Sequence, residues 1–205
     1  MSQDITADAL YGRLAALPAG RRLVAVAGAP ASGKSTLAEG LAARLPNAAV
    51  IPMDGFHYDN RVLQERGHLS RKGAPHTFDV GGLYHLLQRL TRNDAPEVAI
   101  PLFDRSIETS RAGAAIVPQS VQTLLVEGNY LLLDRAPWST LRPLFDLTVM
   151  IAVSETVLRD RLIARWQGYG LSQDQIVAKL EENDLPNGRT VIRESVAADL
   201  TVQSV

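Results

Sequence analysis

Apolar positions along the 205-residue chain fall into two patterns, short continuous runs and leucines spaced three or four apart. Leu23-Val24-Ala25-Val26-Ala27 is a run of strand length with no polar alternation, as expected for a central parallel strand covered on both faces. Residues 48–53, 121–126 and 147–153 read as further strands, with Pro52 marking an edge position or a strand end. Leu10, Leu14 and Leu17, then Leu37, Leu41 and Leu45, then Leu83, Leu86, Leu87 and Leu90 carry helical stripes. The last of these helices is capped by Asp79. Another begins at Ser154-Glu155 and runs through Trp166, Gly168 and Gly170 end it, and Ser172 to Gln175 forms a capping box for the next. A short helix after residues 183–188 leads to a final strand at 198–203. Residues 98–103 and 114–117 pair as a hairpin outside the main sheet. Trp138, Leu141 and Leu144 have helical spacing and read as packing. Residues 60–78 show no clear period and read as a long, basic loop.

Composition narrows the class. A chain 46% hydrophobic and 21% charged can bury one substantial core, so residues 1–205 are expected to form a single domain. A net charge of -1 and a pI near 6.4 provide no overall attraction to nucleic acid or to an anionic membrane. The absence of cysteine excludes disulfides and thiolate zinc sites. With no basic-apolar leader and no apolar run of about 20 residues, the expectation is a soluble cytoplasmic protein.

The chemistry centres on Gly28-Ala29-Pro30-Ala31-Ser32-Gly33-Lys34-Ser35-Thr36, which matches G-x-x-x-x-G-K-[ST] between a strand and a helix. Such a loop aims backbone N–H groups and a helix N-terminus at polyphosphate. Lys34 would reach the β- and γ-phosphates, and Ser35 would enter the shell of a nucleotide-bound Mg²⁺. Asp54 follows the second strand, where it is either a base for an acceptor hydroxyl or an Asp-Gly turn. Glu127 ends the next buried strand, placed to hold Mg²⁺ directly or through water. Arg61, Arg66, Arg71 and Lys72 make the 60–78 segment basic, either to touch an acceptor or phosphate or simply to face solvent. His57, His68 and His76 have no metal-pair spacing, so hydrogen bonding to substrate or exposure accounts for them. Asp104, Arg105, Glu108 and Arg111 form either a structural network or an acceptor pocket. Arg161 and Arg165, four apart on one helix face, either fold over the triphosphate as a lid or form a solvated stripe paired with Asp160 or Glu155. A phosphoryl transferase and a nucleotide switch that hydrolyses ATP while regulating a partner both fit a phosphate loop alone. The strand-end acid beside a basic acceptor loop argues for the kinase.

Taken together, the loop at residues 28–35, Asp54-Gly55-Phe56, Arg71-Lys72-Gly73 through Phe78-Asp79, Pro101-Leu102-Phe103-Asp104, Glu127-Gly128-Asn129-Tyr130 and the Arg161 helix resemble the P-loop small-molecule kinases of the uridine kinase, pantothenate kinase and phosphoribulokinase group. Within it, the chain is most similar to the bacterial branch named "putative fructose transport system kinase". The resemblance covers nearly the whole chain. It implies an α/β P-loop NTPase three-layer sandwich, with a five-stranded parallel sheet, helices on both faces and a small lid. It further implies ATP and Mg²⁺ as cofactors, Asp54 as general base, Arg161 and Arg165 as lid residues, and a homodimer. A sugar is the implied acceptor, with nucleoside and pantothenate-like alcohols as alternatives. His57, Arg71, Lys72, Asp104 and Glu127 are the substrate-side candidates. Uridine kinases usually carry a Tyr-Asp-Tyr-like segment, followed by His and Arg, where this chain has Phe103-Asp104-Arg105-Ser106-Ile107-Glu108, so their nucleoside contacts do not carry over.

Overall fold

The computed structural model describes residues 2–18 and 20–204. In chain order its strands are β1 Gln3–Ile5, β2 Arg22–Gly28, β3 Ala48–Pro52, β4 Glu97–Asp104, β5 Thr109–Pro118, β6 Thr123–Gly128, β7 Leu147–Ala152 and β8 Leu200–Gln203. All but β4 and β5 join one parallel sheet in the order β1-β8-β7-β2-β6-β3. The sheet therefore has six strands, not the expected five. The extra one is β1, three residues paired to β8 at an edge. Its sequence, Gln-Asp-Ile, carries no apolar run because an edge strand is held by backbone hydrogen bonds and need not be buried on both faces.

The helices are α1 Ala7–Ala15, α2 Lys34–Arg44, α3 Asn60–Glu65, α4 Val80–Arg92, α5 Glu155–Gly168, α6 Gln173–Lys179 and α7 Leu185–Glu194. Successive residues of β2 point to opposite faces. Leu23, Ala25 and Ala27 enter the core beneath α4 and Trp138, while Val24 and Val26 enter the core beneath α1 and α2. A third, small cluster of Leu162, Ile176, Leu180 and Leu185 lies under the lid helices and meets Ala31 of the phosphate loop. Antiparallel β4 and β5 form an arm outside the sheet.

Two segments differ from expectation. Residues 60–78 are not a loop but α3 and the 3₁₀ turns Leu69–Arg71 and Pro75–Thr77. Each is too short to show a period, and caps such as Asp59, which accepts from the Arg61 amide at 2.8 Å, hold them locally. Residues 183–188 do not separate two helices. The chain runs from α6 into α7 through a π-turn at Leu180–Asp184, and Pro186 sits in the first turn of α7, where a missing N–H is tolerated.

Candidate active site

β2 is the middle strand between β6 and β7, so the loop after Gly28 lies at the carboxyl edge of the sheet, where α/β proteins hold ligands. The loop is tightly wound. A Cβ on Gly28 would stand 2.5 Å from Ser32 Oγ, and Ala31 and Gly33 take left-handed φ values of 63° and 94°. Ser32 Oγ is buried without a hydrogen-bond partner among the described residues. Lys34 opens α2, and burial lowers the pKa of its ammonium against the opposing pull of Glu127 and Asp54.

Strand alternation aims the acids. On β6, Leu125 faces the α2 side, so Glu127, two residues on, faces it too. Its Oε2 accepts from Ser35 Oγ at 3.1 Å, and burial raises its pKa while Lys34 and Ser35 oppose the rise. In register, Pro52 lies beside Glu127, and the 3₁₀ turn Met53–Phe56 then carries Asp54 into the same cleft. Asp54 Oδ2 accepts from Arg105 Nη2 at 2.9 Å. Gly55 permits the close approach, since a Cβ there would lie 2.4 Å from the Pro101 carbonyl oxygen.

The cleft, about 780 Å³, runs from the phosphate loop to the tip of the hairpin. Lys34, Ser35, Asp54, His57, Lys72, Phe78, Phe103, Arg105, Asn129 and Arg165 are among its lining residues. His57 Nδ1 sits 2.8 Å from the Asp54 carbonyl, which can only accept, so Nδ1 carries the proton. Burial lowers the pKa of this ring, leaving it neutral with a lone pair on Nε2. Phe78 and Phe103 flank the imidazole at 4.0 and 4.7 Å. Lys72 Nζ donates to Asn60 Oδ1 at 2.6 Å and to the Glu108 carbonyl at 2.5 Å.

Other candidates are arranged differently. Asp104 does not line the cleft; it accepts from Ser106 and Arg111 on the hairpin, an internal pair that holds its pKa low. Arg71 turns toward α7, donating to the Glu182 carbonyl and to Asn187 Oδ1. Arg161 and Arg165 part company. Arg161 Nη1 reaches the Ala31 and Ser32 carbonyls and Ser204 Oγ, bracing the outside of the phosphate loop, whereas Arg165 lines the cleft. On the same helix Arg159 pairs with Glu181, and Glu155 pairs with Arg189. His68 and His76 contact each other edge to face, and no cluster of three metal-ligating side chains exists among the described residues.

Several cleft residues were not among the site residues expected from sequence. Asn129, Glu182, Asn183, Asp184 and Asn187 line it, and Asn129 Oδ1 is buried without a partner among the described residues. Asp184 accepts from Trp166 Nε1 at 2.6 Å, and burial raises its pKa. A second cavity of about 640 Å³ lies behind the loop, lined by Gly33, Thr36, Leu37, Gly40, Arg44 and Arg161 among others.

No family model matches the chain. It is 32% identical over 212 residues to "Putative uridine kinase C227.14" of Schizosaccharomyces pombe, covering 97% of this chain and 90% of that protein. The pantothenate kinase of Clavibacter michiganensis is 30% identical over 152 residues, 70% of this chain but 46% of that enzyme. A crystal structure described as a "putative fructose transport system kinase", from Silicibacter sp. TM1040, superposes with a TM-score of 0.89 at 44% identity, covering 96% of this chain and 98% of that one.

Proposed function

The chain belongs to the P-loop small-molecule kinases of the uridine kinase, pantothenate kinase and phosphoribulokinase group, an ATP-dependent kinase family, and from that premise we propose that its acceptor is a neutral polyhydroxy compound, a sugar such as fructose. One observation carries this reading. Around the acceptor end of the cleft, Asn129 Oδ1 is buried without a partner among the described residues, and His57 Nε2 and the second oxygen of Asp54 are likewise hydrogen-bond acceptors. Hydroxyl groups satisfy them. The cations Lys72 and Arg105 are already engaged, by Asn60 and Glu108 and by Asp54, so a carboxylate or phosphate on the acceptor would have to displace those partners.

In this reading Asp54 accepts the proton of the attacking hydroxyl. The oxygen forms its bond to the γ-phosphorus as the bond to the β-phosphate oxygen breaks, with ADP as leaving group. Lys34 and the loop amides balance charge on the transferred group, joined by Arg165. Ser35 and Glu127 would hold Mg²⁺; two oxygen donors from the protein are what an ion completed by phosphate and water needs. Mg²⁺ there would neutralise the phosphates. The second cavity would take the adenine, with the flat Arg161 guanidinium as one wall and Gly40 leaving the α2 side open.

The test is ADP release, coupled to pyruvate kinase and lactate dehydrogenase, against a panel of fructose and other hexoses, pentitols, sugar phosphates, uridine and pantothenate. Sugar-stimulated release with no response to pantothenate or sugar phosphates is expected. Preference for an anionic acceptor or for uridine would overturn the assignment.

A further inference from the structure

The sequence Asn183-Asp184-Leu185-Pro186-Asn187 lies far from the phosphate loop in the chain and takes no part in the chemistry above. Asn183 and Asn187 are four residues apart on one helical face, and Asn187 is a polar side chain only 3% exposed. A buried amide is costly unless its hydrogen bonds are made. These are made in a chain. Asn187 Oδ1 accepts from Arg71 Nη2 at 3.2 Å, Asn187 Nδ2 donates to Asn183 Oδ1 at 3.1 Å, and Asn183 Nδ2 donates to the Lys72 carbonyl at 2.9 Å. Arg71 also donates to the Glu182 carbonyl.

All of these bonds converge on Arg71-Lys72-Gly73. That tripeptide reaches α3 and the hairpin tip through Lys72 Nζ, and its Gly73 carbonyl accepts from Tyr130 Oη, just beyond β6, at 2.6 Å. Gly73 has a φ of 95°, a turn that other residues adopt only with strain. Three walls of the acceptor end of the cleft therefore meet on one short segment. The amide pair, together with the Arg71 bond to the Glu182 carbonyl, ties that segment to the lid helices, and the π-turn at Leu180–Asp184 brings Asn183 and Asn187 onto it.

We propose that Asn183 and Asn187 are positioning residues for acceptor binding, a relay that fixes the 71–73 segment against the lid without touching either substrate's reacting atoms. The inference rests on the kinase activity and not on the acceptor being a sugar. Without the relay Lys72 and the hairpin tip lose their register with Asp54, while the phosphate loop, braced independently by Arg161, keeps its shape.

The experiment uses the full chain and the variants Asn187→Ala, Asn187→Asp and Asn183→Ala. Hydrogen exchange without ligand is followed at residues 68–77 and at 22–45, and binding of a non-hydrolysable ATP analogue is titrated. Kinetics are taken with D-fructose, or with the panel compound that gives fastest ADP release. Asn187→Ala should speed exchange at 68–77 at least tenfold and leave 22–45 unchanged. Analogue affinity should stay within twofold, and acceptor KM should rise about tenfold with kcat falling less than threefold. Asn187→Asp keeps the acceptor for Arg71 but loses the donor to Asn183, so it should fall between wild type and Asn187→Ala. Unchanged exchange at 68–77 would overturn the proposal, as would a uniform rise across both segments or an equal loss of ATP-analogue affinity. If no panel compound is phosphorylated, the sugar assignment fails and the exchange and analogue arms alone decide the relay.

Discussion

Replacing Gly55 by Ala puts one methyl group where the structure has no room for it. The added Cβ would lie 2.4 Å from the Pro101 carbonyl oxygen and 2.8 Å from its carbon, both backbone atoms of β4. No rotamer relieves that overlap. Either the Asp54 turn or the arm must move, at the overpacking cost of about 1–3 kcal/mol. For a chain of this size each kcal/mol lowers Tm by about 2–4 °C, so the expected loss is about 2–12 °C. The same displacement pulls Asp54 away from Arg105, so turnover falls beyond what stability explains. Gly12→Ala is the control. A Cβ at Gly12 meets nothing within 4 Å in the exposed middle of α1, and the helix should gain about 0.5–1 kcal/mol. Differential scanning calorimetry of both variants, with ADP release at saturating ATP, tests the reasoning. A Gly55→Ala protein with wild-type Tm and turnover would refute the packing of the arm on the Asp54 turn.

Further expectations concern the chemistry. Asp54→Asn should lower kcat about 10²–10⁴-fold while an ATP analogue still binds; near-normal turnover would remove Asp54 as the base. Chelation with EDTA should abolish ADP release, added Mg²⁺ should restore it, and Ser35→Ala should raise the Mg²⁺ needed for half-maximal rate by about tenfold. Burial holds His57 below its ordinary 6.5, so as pH falls through that value the unfolded chain takes up the proton first. Stability should therefore drop on acidification from pH 7 to 5, more steeply than in His57→Gln, as urea midpoints would show. Where the ring of the folded protein does take up a proton, it loses its free lone pair, and acceptor KM should rise.

The donor half of the site was legible because its chemistry is contiguous. Strand, glycine-bent loop, lysine and helix follow one another within residues 22–44, and each is specified by local sterics or period. Glu127 and Asp54 were also readable, since each follows an apolar run that ends at the same sheet edge. Short elements were not. β1 and α3 carry too few residues for a period, and the π-turn hides behind Asn, Pro and Gly, which locally signal a break.

Residues 28–36 and the strands that flank them were thus determined by the sequence itself, through apolar runs that must be buried and a loop only small residues can form. Tertiary structure decided who meets whom. Arg161 and Arg165 share a helix face by spacing, yet one braces the phosphate loop and the other lines the cleft. Asn183 and Asn187 acquire meaning only when the chain brings residues 111 and 116 apart in sequence within hydrogen-bond reach. No local pattern encodes such a pairing, since its free energy comes from burying both partners together.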